Sequence, residues 1–404
     1  MSMIDMLRPS AGKQTSHAEF VAFLADDESA AIVQRYVAQR MLPHAHVARG
    51  SVDQAIEFLQ KLERAPSQLL IDVSGSDTPL SELARLADAC EPSVEVYVVG
   101  GKNDVGLYRS LLQLGVRDYL VKPLTVDLLM RMLGKSEPLQ QARTGKVITL
   151  LGTRGGVGVS TIATHLGRYL ANVSQRRVAL VDLNLHGGTV NILLGLDSNN
   201  GLTDVLQNVQ RLDTQYMERT LVAHSSRLFV LSAELDFEQA FPLRAGAAAE
   251  LIHVLKQHFH YVLVDAPPPG LCHGDLTEEA LSQSKVVYVV ADRSVHSARN
   301  IARLVRYAGN RENEPVVSLL LNQPAPVSAA HVASADLADA CRRAVLQELP
   351  YDALSVATAE NLGEALAAKS TFGLAIARLA DDLSGTAQKP QVLSRWRQLL
   401  KRGG

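Results

Sequence analysis

The stretch of the chain that most constrains its fold is a glycine-rich segment between an apolar run and a helical pattern. Residues 147–151 are apolar, as a buried strand is, and helical spacing of apolar residues extends from Ser160 to Leu170. Between them lies Arg154-Gly-Gly-Val-Gly158. A strand, a glycine loop and a helix in this order predict a phosphate-binding loop. Glycines let backbone N–H groups turn toward an anion at the positive end of the helix.

The segment departs from the usual P-loop at its lysine. A P-loop ends in Gly-Lys-Ser/Thr, and the lysine reaches the β- and γ-phosphates. Here Val159 precedes Ser160, so the hydroxyl that binds magnesium is present and the cation is absent. The loop alone leaves two interpretations open: a phosphate site without its lysine, or a glycine-rich turn that binds no ligand. If it is a phosphate site, we expect at most a slow ATPase.

Composition and charge exclude several classes of protein. The chain has 404 residues, 47% of them hydrophobic and 20% charged, which predicts two or three globular domains. The net charge of −2 argues against a general polyanion binder, and no specific nucleic-acid partner is expected. Cys90, Cys272 and Cys341 lack metal-ligand spacing, which indicates reduced thiols. No signal-peptide core and no membrane-spanning apolar run is present, so we expect a cytoplasmic protein.

Residues 17–133 alternate between short apolar strands and helical segments, which predicts an α/β domain with a parallel sheet covered on both faces. The predicted strands are 20–25, 68–71, 94–99 and 118–121. Ligands of such sheets bind at the carboxyl ends of the strands. The charged residues at these ends are Asp26, Asp27, Asp72 and Lys122.

These positions resemble the receiver domain of response regulators. The resemblance implies that Asp26 and Asp27 hold Mg²⁺, that Asp72 is the phosphoacceptor, and that Lys122 contacts the phosphoryl group. Tyr119 stands at the position of the switch aromatic residue of that family.

Gly100 departs from the receiver pattern, which has serine or threonine at this position. The hydroxyl of that residue couples the phosphoryl group to the switch aromatic. Two alternatives remain open: a domain that is phosphorylated with little structural response, and a receiver fold kept as a docking or dimerisation module. The glycine favours the second.

A second α/β domain is predicted at residues 146–386, after a polar linker at 134–145. Near-continuous apolar runs predict buried parallel strands at 177–181, 261–264, 286–291 and 316–321. The fold predicted for the chain is therefore α/β, with two doubly wound parallel-sheet domains. Residues 1–16 are expected to be a flexible N-terminus, and residues 387–404 a basic amphipathic tail.

Polar residues at the strand ends of the second domain strengthen the phosphate-site interpretation. Asp265 closes an apolar strand, as a Walker B aspartate does. Arg154-Gly-Gly-Val-Gly158 resembles the deviant P-loop of the MinD/ParA family, in which a cation before the paired glycines contacts phosphate across a dimer. Asp182 matches the first switch of that family, and Asn322 matches its base-reading asparagine. Asn184 replaces the aspartate that orients the attacking water. Such residues also serve as helix caps, which is the alternative here.

ATP and Mg²⁺ are the cofactors that this resemblance implies, with Ser160 and Asp265 as the metal ligands. The predicted nucleotide contacts are Arg154, Gly155, Gly156, Val157, Gly158, Val159, Ser160, Thr161, Asp182, Asp265 and Asn322.

A receiver-like domain followed by a MinD/ParA-like domain without the P-loop lysine resembles the TadZ/CpaE family of Tad (Flp) pilus assembly proteins. The stretches 100–110 and 115–123 look like the receiver of that family. The resemblance implies a homodimeric localisation and scaffolding factor that contacts the pilus secretion machinery, often at a cell pole. The alternatives are an active membrane-cycling MinD/ParA-type ATPase and a response-regulator-type signalling protein.

The C-terminal tail predicts contact with a membrane surface. Residues 388–404 contain no acid, and Val392, Leu393, Trp396, Leu399 and Leu400 recur at helical spacing. Arginines and lysines border this apolar face. We therefore expect residues 391–404 to bind anionic lipid at the inner face of the membrane. Docking of this helix on protein is the alternative.

Overall fold

The computed structural model describes residues 18–62, 64–134, 143–197, 200–211, 214–269, 274–326, 328, 330–367 and 369–384. The chain divides into two compact units, the first formed by residues 1–145 with 256–260 and the second by residues 146–255 with 261–404. The predicted N-terminal segment 1–16, most of the linker and the tail at 387–404 lie outside the described residues.

The first unit is a five-stranded parallel sheet with strand order β2-β1-β3-β4-β5. Its strands are β1 (Phe20–Leu24), β2 (Ala45–Arg49), β3 (Gln68–Asp72), β4 (Glu95–Gly100) and β5 (Asp118–Val121). Its helices are α1 (Asp27–Arg40), α2 (Val52–Lys61), α3 (Pro79–Ala89), α4 (Val105–Gln113) and α5 (Val126–Leu133). The chain order reverses between β1 and β3, and ligands of open α/β sheets bind at such a point.

Two hydrophobic cores cover the two faces of this sheet. Alternate residues of β1 enter different cores: Val21 and Phe23 pack on one side, and Phe20 and Leu24 on the other. Side chains of a strand point to opposite faces in turn, so this division requires helices on both sides.

The second unit contains an eight-stranded sheet with strand order β13-β12-β11-β6-β10-β7-β9-β8, parallel except for β8. Its strands are β6 (Lys146–Gly152), β7 (Val178–Asp182), β8 (Val222–Ala223), β9 (Leu228–Leu231), β10 (Tyr261–Ala266), β11 (Val286–Ala291), β12 (Val316–Asn322) and β13 (Val345–Leu349). Its helices are α6 (Val159–Asn172), α7 (Val190–Leu193), α8 (Gly201–Gln207), α9 (Thr214–Thr220), α10 (Ala247–His258), α11 (Gly274–Gln283), α12 (Val295–Gly309), α13 (Ser334–Cys341), α14 (Ala353–Leu362) and α15 (Thr371–Ser384). The predicted fold class, with two doubly wound α/β sheets, is confirmed.

The central strands of the second sheet are buried on both faces. In β6, Ile148 and Leu150 join the main hydrophobic core, whereas Val147 and Leu151 are buried on the opposite face. This burial on both faces explains why residues 147–151 are apolar except for Thr149, rather than apolar only at alternate positions. No helix of the described residues is both long enough and apolar enough to cross a bilayer.

His165 is a titratable group buried in α6. Its ring packs edge-on against Phe372 at 6.1 Å, and its Nε2 has no hydrogen-bond partner among the described residues. Burial, helped by the nearby charge of Arg168, lowers the pKa of His165 from 6.5 to about 4. The folded chain therefore holds this imidazole neutral at pH values at which an unfolded chain protonates it.

This burial predicts a loss of stability in acid. Protonation of the unfolded state begins below pH 6.5, so stability falls as the pH drops from about 6.5 toward 4. At pH 5 the loss attributable to His165 should be about 2 kcal/mol relative to pH 7. His165→Leu should remove this part of the pH dependence, measured by urea denaturation at both pH values. His296→Gln, which alters an exposed histidine, is the control and should leave the dependence unchanged.

Candidate functional site

The phosphate loop of the second unit joins β6 to α6 at the carboxyl edge of the sheet. Gly156 and Gly158 have positive φ angles of 76° and 92°, in the left-handed region that favours glycine. A Cβ at Gly158 would also overlap the side-chain amide of Asn322. The loop then opens directly into α6 at Val159. The predicted strand, glycine turn and helix are all present, and the N-terminus of α6 can receive an anion.

Ser160 anchors this loop to the neighbouring strand. Its hydroxyl donates a hydrogen bond of 2.5 Å to Oδ2 of Asp265, the residue that follows Val264 in β10. Asp265 lies opposite Asp182 in the parallel register of β10 and β7. The two predicted metal ligands, Ser160 and Asp265, are therefore in contact, with Asp182 beside them.

Both aspartates are buried, and this changes their titration. Burial raises the pKa of Asp265, and the charge of Asp182 raises it further, whereas the Ser160 hydrogen bond opposes the rise. Burial also raises the pKa of Asp182, against the hydrogen bonds donated by the backbone N–H groups of Asn184 and Val190. Two close carboxylates that are costly to ionise favour a cation between them.

These groups fit a magnesium ion that is also held by phosphate oxygens and water. The described residues contain no cluster of three or more His, Cys, Asp or Glu residues arranged to hold a metal by themselves. Mg²⁺ commonly uses one or two carboxylates together with substrate phosphates, and a P-loop hydroxyl is a usual further ligand. Ser160, Asp265 and Asp182 supply this kind of set.

Val159, at the position of the missing lysine, makes an apolar contact instead. Val159 is partly buried and packs against the main hydrophobic core of the unit. The next residue but one, Thr161, donates a hydrogen bond of 2.6 Å to Oε1 of Glu360 in α14. The start of α6 therefore has no cation of its own at the phosphate position. The contact with Glu360 was not predicted, because nothing in the sequence links residues this far apart.

Arg154 is held on its own unit by a buried carboxylate. Its guanidinium forms a salt bridge with Asp292, which follows β11, and Nη1 donates to the carbonyl of Gly155 at 2.7 Å. Asp292 also accepts hydrogen bonds from the hydroxyls of Ser294 and Ser297. Burial would raise the pKa of Asp292, but these hydrogen bonds and Arg154 lower it to about 2. Asp292 was not predicted from the sequence, although its position directly after β11 marks it as a strand-end residue of the kind that lines this site.

The remaining predicted residues lie at the same edge in structural roles. The side-chain amide of Asn322 donates a hydrogen bond of 2.8 Å to the carbonyl of Val157 and so braces the loop. Asn184 Oδ1 accepts a hydrogen bond of 3.2 Å from the N–H of Gly187. The base-reading role of Asn322 and the water-orienting position of Asn184 remain predictions.

The charged residues of the first unit form an acidic pocket around a lysine. Lys122 forms a salt bridge with Asp26, lies 2.6 Å from Oδ2 of Asp72, and donates a hydrogen bond of 2.8 Å to the hydroxyl of Ser74. Asp72 is buried, as a shielded acceptor would be. Asp27 points elsewhere: its side chain is 85% exposed and pairs with Arg49 at 3.3 Å. The phosphoacceptor role of Asp72 remains a prediction.

The charges in this pocket stabilise one another. The hydrogen bond from Lys122 lowers the pKa of Asp26 to about 2, and the N–H of Ser29 at the start of α1 contributes to the shift. Burial alone would lower the pKa of Lys122, but its hydrogen bonds to Asp26 and Asp72 outweigh this and raise it. Lys122 and Asp26 are therefore both charged at neutral pH.

Tyr119 occupies the space that a side chain at position 100 would need. Its ring is buried, and its hydroxyl donates a hydrogen bond of 2.8 Å to the carbonyl of Lys102. A Cβ added at Gly100 would overlap both the hydroxyl and the ring of Tyr119. The glycine therefore does more than remove a hydroxyl, because it lets the aromatic ring pack inward.

The comparisons with known proteins agree with this geometry for the second unit. Residues 145–315 match the family model described as an AAA domain. A MinD-type septum site-determining protein of Emiliania huxleyi is 29% identical over 253 residues, which cover 60% of this chain and 88% of that protein. The MinD of Bacillus subtilis is 24% identical over 179 residues, and the chain spans less than two thirds (65%) of its length.

Solved structures support the same fold. A ParA family ATPase from Chlorobium tepidum matches with a TM-score of 0.54 and 20% identity, over 59% of this chain and 98% of that one. A pilus assembly protein CpaE from Caulobacter crescentus is 34% identical over 28% of this chain and 89% of that one, with a TM-score of 0.26. The second unit therefore matches an AAA domain model, is similar in sequence to MinD and ParA proteins, and shares the fold of a ParA-type ATPase.

The packing of Tyr119 over Gly100 predicts a sharp difference between two adjacent glycines. Gly100→Ala should destabilise the first unit by about 1–3 kcal/mol, because the methyl group forces the tyrosine ring out of its site. Gly101→Ala is the matched control, since a Cβ there meets only the Cβ of Ser74 at 3.8 Å. Urea denaturation followed by near-ultraviolet circular dichroism measures both. Equal stability of the two variants would contradict the packing argument.

Proposed function

We propose that this protein is a localisation and scaffolding factor for Tad (Flp) pilus assembly, with a degenerate ATP site and a homodimeric, membrane-associated form. One observation carries the proposal: the phosphate loop keeps its fold and its Ser160–Asp265 contact, while Val159 packs against the core at the position where a lysine would act. A site of this kind can bind nucleotide and so stabilise one conformation or assembly state without hydrolysing it rapidly. It lacks the cation that stabilises the charge of phosphoryl transfer.

In this proposal the backbone N–H groups of the glycine loop would hold the phosphates of ATP, and Ser160 and Asp265 would hold Mg²⁺. The ion would neutralise phosphate charge when bound. Asp182 holds its place through backbone hydrogen bonds from Asn184 and Val190. Asn184 supplies an amide where a carboxylate would orient water, so this chain's own groups favour binding over hydrolysis.

The pilus assignment rests on the sequence resemblance to TadZ/CpaE proteins and on the character of the first unit. Its Asp26–Asp72–Lys122 pocket is formed, but Tyr119 is packed inward over Gly100. A tyrosine held in this way is poorly suited to report phosphorylation. The unit is therefore better suited to docking, for which the Tad secretion machinery is the proposed partner.

An active MinD/ParA-type ATPase is the second candidate, because the curated relatives include MinD and ParA family proteins. In that candidate Arg154 would leave Asp292 and contact phosphate across a dimer. The rate of ATP hydrolysis separates the two candidates. Only an active ATPase needs a cation, such as Arg154 from across a dimer, to stabilise the charge of the transition state.

The degenerate site predicts ATP binding with very slow hydrolysis. Calorimetry should detect weak to moderate ATP binding that strengthens with Mg²⁺, and Ser160→Ala should remove the magnesium dependence. Turnover should be orders of magnitude below that of an ordinary P-loop NTPase. Ordinary turnover that is abolished by Arg154→Ala and preserved in the control Arg109→Ala would establish the active ATPase instead. No detectable nucleotide binding would overturn the ATP part of the proposal.

The tail predicts how the protein reaches its place of action. Each basic residue near anionic lipid contributes about 1 kcal/mol, so one tail binds weakly and the two tails of a dimer bind by avidity. The full chain should sediment with anionic liposomes, less so as salt rises, and Trp396→Ala should weaken this sedimentation. A chain lacking residues 391–404 should not sediment with them.

The assembly role is tested in a host that carries Tad pili and from which this protein has been deleted. The full chain should restore surface pili to this host, and the chain lacking residues 391–404 should not. Normal pili in the deletion host itself would refute the assembly role.

A further inference from the structure

A groove lined by arginines lies on the second unit, where α12 meets the end of α13. Its guanidinium groups belong to Arg303, Arg306, Arg311, Arg342 and Arg343. The groove is open and has a volume of about 1120 Å³. Glu278 is the one carboxylate among the described residues that line it. A concave site with this excess of positive charge attracts an anionic ligand.

Most of this charge is not compensated by the protein. Arg311 lies 3.6 Å from Glu278 and stacks over the ring of Tyr307 at 4.5 Å. Arg303, Arg342 and Arg343 are exposed and form no ion pair within the described part of the chain. Guanidinium groups are suited to carboxylate and phosphate because their planar donors bind two oxygens at once.

The backbone at the end of α13 supports a functional role for these arginines. Arg342 is the C-terminal cap of the helix and has a φ of 53°, in the left-handed region. Glycine is the usual residue in this conformation, because it has no side chain to clash. An arginine held there despite the strain puts two adjacent guanidinium groups, of Arg342 and Arg343, along one side of the groove.

The surroundings of the groove limit the size of its ligand. Residues 146–384 carry 20 Lys and Arg against 24 Asp and Glu, so the unit as a whole is acidic. Exposed acids stand close by in the chain at Glu312, Glu314, Asp336 and Asp339. A long polyanion such as duplex DNA would bring phosphates over these carboxylates. A short anionic ligand would contact the groove alone.

We propose that this groove binds a short acidic segment of a partner protein. Arg303 lies on α12, whereas Arg311 follows the end of that helix, so the groove presents guanidinium groups from more than one element. Carboxylates on one side of an extended peptide recur about every 7 Å, so a short acidic segment can present several of them to these groups. The terminal segment 385–404 of this chain contains no acid and is not the occupant. Residues 1–17 and 135–142 contain only one acid each, so the proposed occupant is a segment of another protein.

The groove also reaches toward the phosphate loop. Arg303 and Tyr307 line a second cleft, of about 330 Å³, whose other walls include Gly152 and the prolines 268 and 269. A segment bound along α12 would therefore lie next to the loop that follows Asp265.

Fluorescence anisotropy with a fluorescein-labelled hexaglutamate peptide tests the proposal on the full chain. Binding should be saturable and should weaken as salt rises. Arg303→Glu/Arg343→Glu should weaken it by roughly tenfold or more, and Arg303→Gln/Arg343→Gln by an intermediate factor. Lys369→Glu/Arg378→Glu is the matched control: both residues are exposed, lie on the same unit and give the same change of charge. Far-ultraviolet circular dichroism checks that each variant is folded.

The same measurement with other probes separates the alternatives. Tighter binding of a 12-base-pair duplex, lost in the Arg303/Arg343 variants, would identify nucleic acid as the ligand and overturn the proposal. If phosphatidylglycerol vesicles bind more tightly than the peptide, and the same variants lose this binding, the ligand is a membrane surface and the proposal is overturned. Equal peptide affinity in the wild type and the charge-reversed variant, or no peptide binding at low salt, would also overturn it.

Discussion

The hydrogen bond between Ser160 and Asp265 is the contact on which the second unit depends. It ties the end of the phosphate loop to β10, which lies between β6 and β7 in the sheet. The loop can approach this closely because Gly156 and Gly158 adopt left-handed conformations. The contact also brings a hydroxyl to two carboxylates whose pKa values are raised by burial. Loop geometry and cation affinity therefore arise from the same arrangement.

The two units share one architecture and differ in what their strand ends contain. In the first unit a lysine, Lys122, satisfies the carboxylates of Asp26 and Asp72 from within the pocket. In the second, no cationic side chain of the described residues pairs with Asp182 or Asp265, because Val159 packs against the core and Arg154 is held by Asp292. In the first pocket the positive charge of Lys122 balances the carboxylates. In the second, the buried carboxylates lack a positive charge, which a magnesium ion bound with nucleotide would supply.

This contrast between the two pockets is more consistent with the proposed scaffold than with an enzyme that hydrolyses ATP rapidly. Tyr119, packed over Gly100, has little room to signal a change at Asp72. The degenerate loop retains the groups for binding and lacks those for fast phosphoryl transfer. The arginine groove on α12 and α13 adds a surface at which a partner of opposite charge can dock. All three features fit a scaffold better than a fast enzyme.

The sequence by itself determined the fold class and the strand ends at which polar residues would gather. Short, nearly continuous apolar runs such as residues 147–151 are typical of strands covered on both faces, and the glycine loop and helical pattern that follow favour this interpretation here. The edge strands β2 and β13, most of whose residues are partly buried or exposed, carry no such signal and were not predicted.

Only the tertiary structure decided which polar groups meet. Asp292 with Arg154, Glu360 with Thr161, and the arginines of α12 with those after α13 are distant in the chain and are brought together by the packing of whole elements. It also decided that Asp27 faces solvent, because successive residues at a helix start point in different directions. Local patterns fix local geometry, but contacts across elements depend on how the sheet and its helices close around the core.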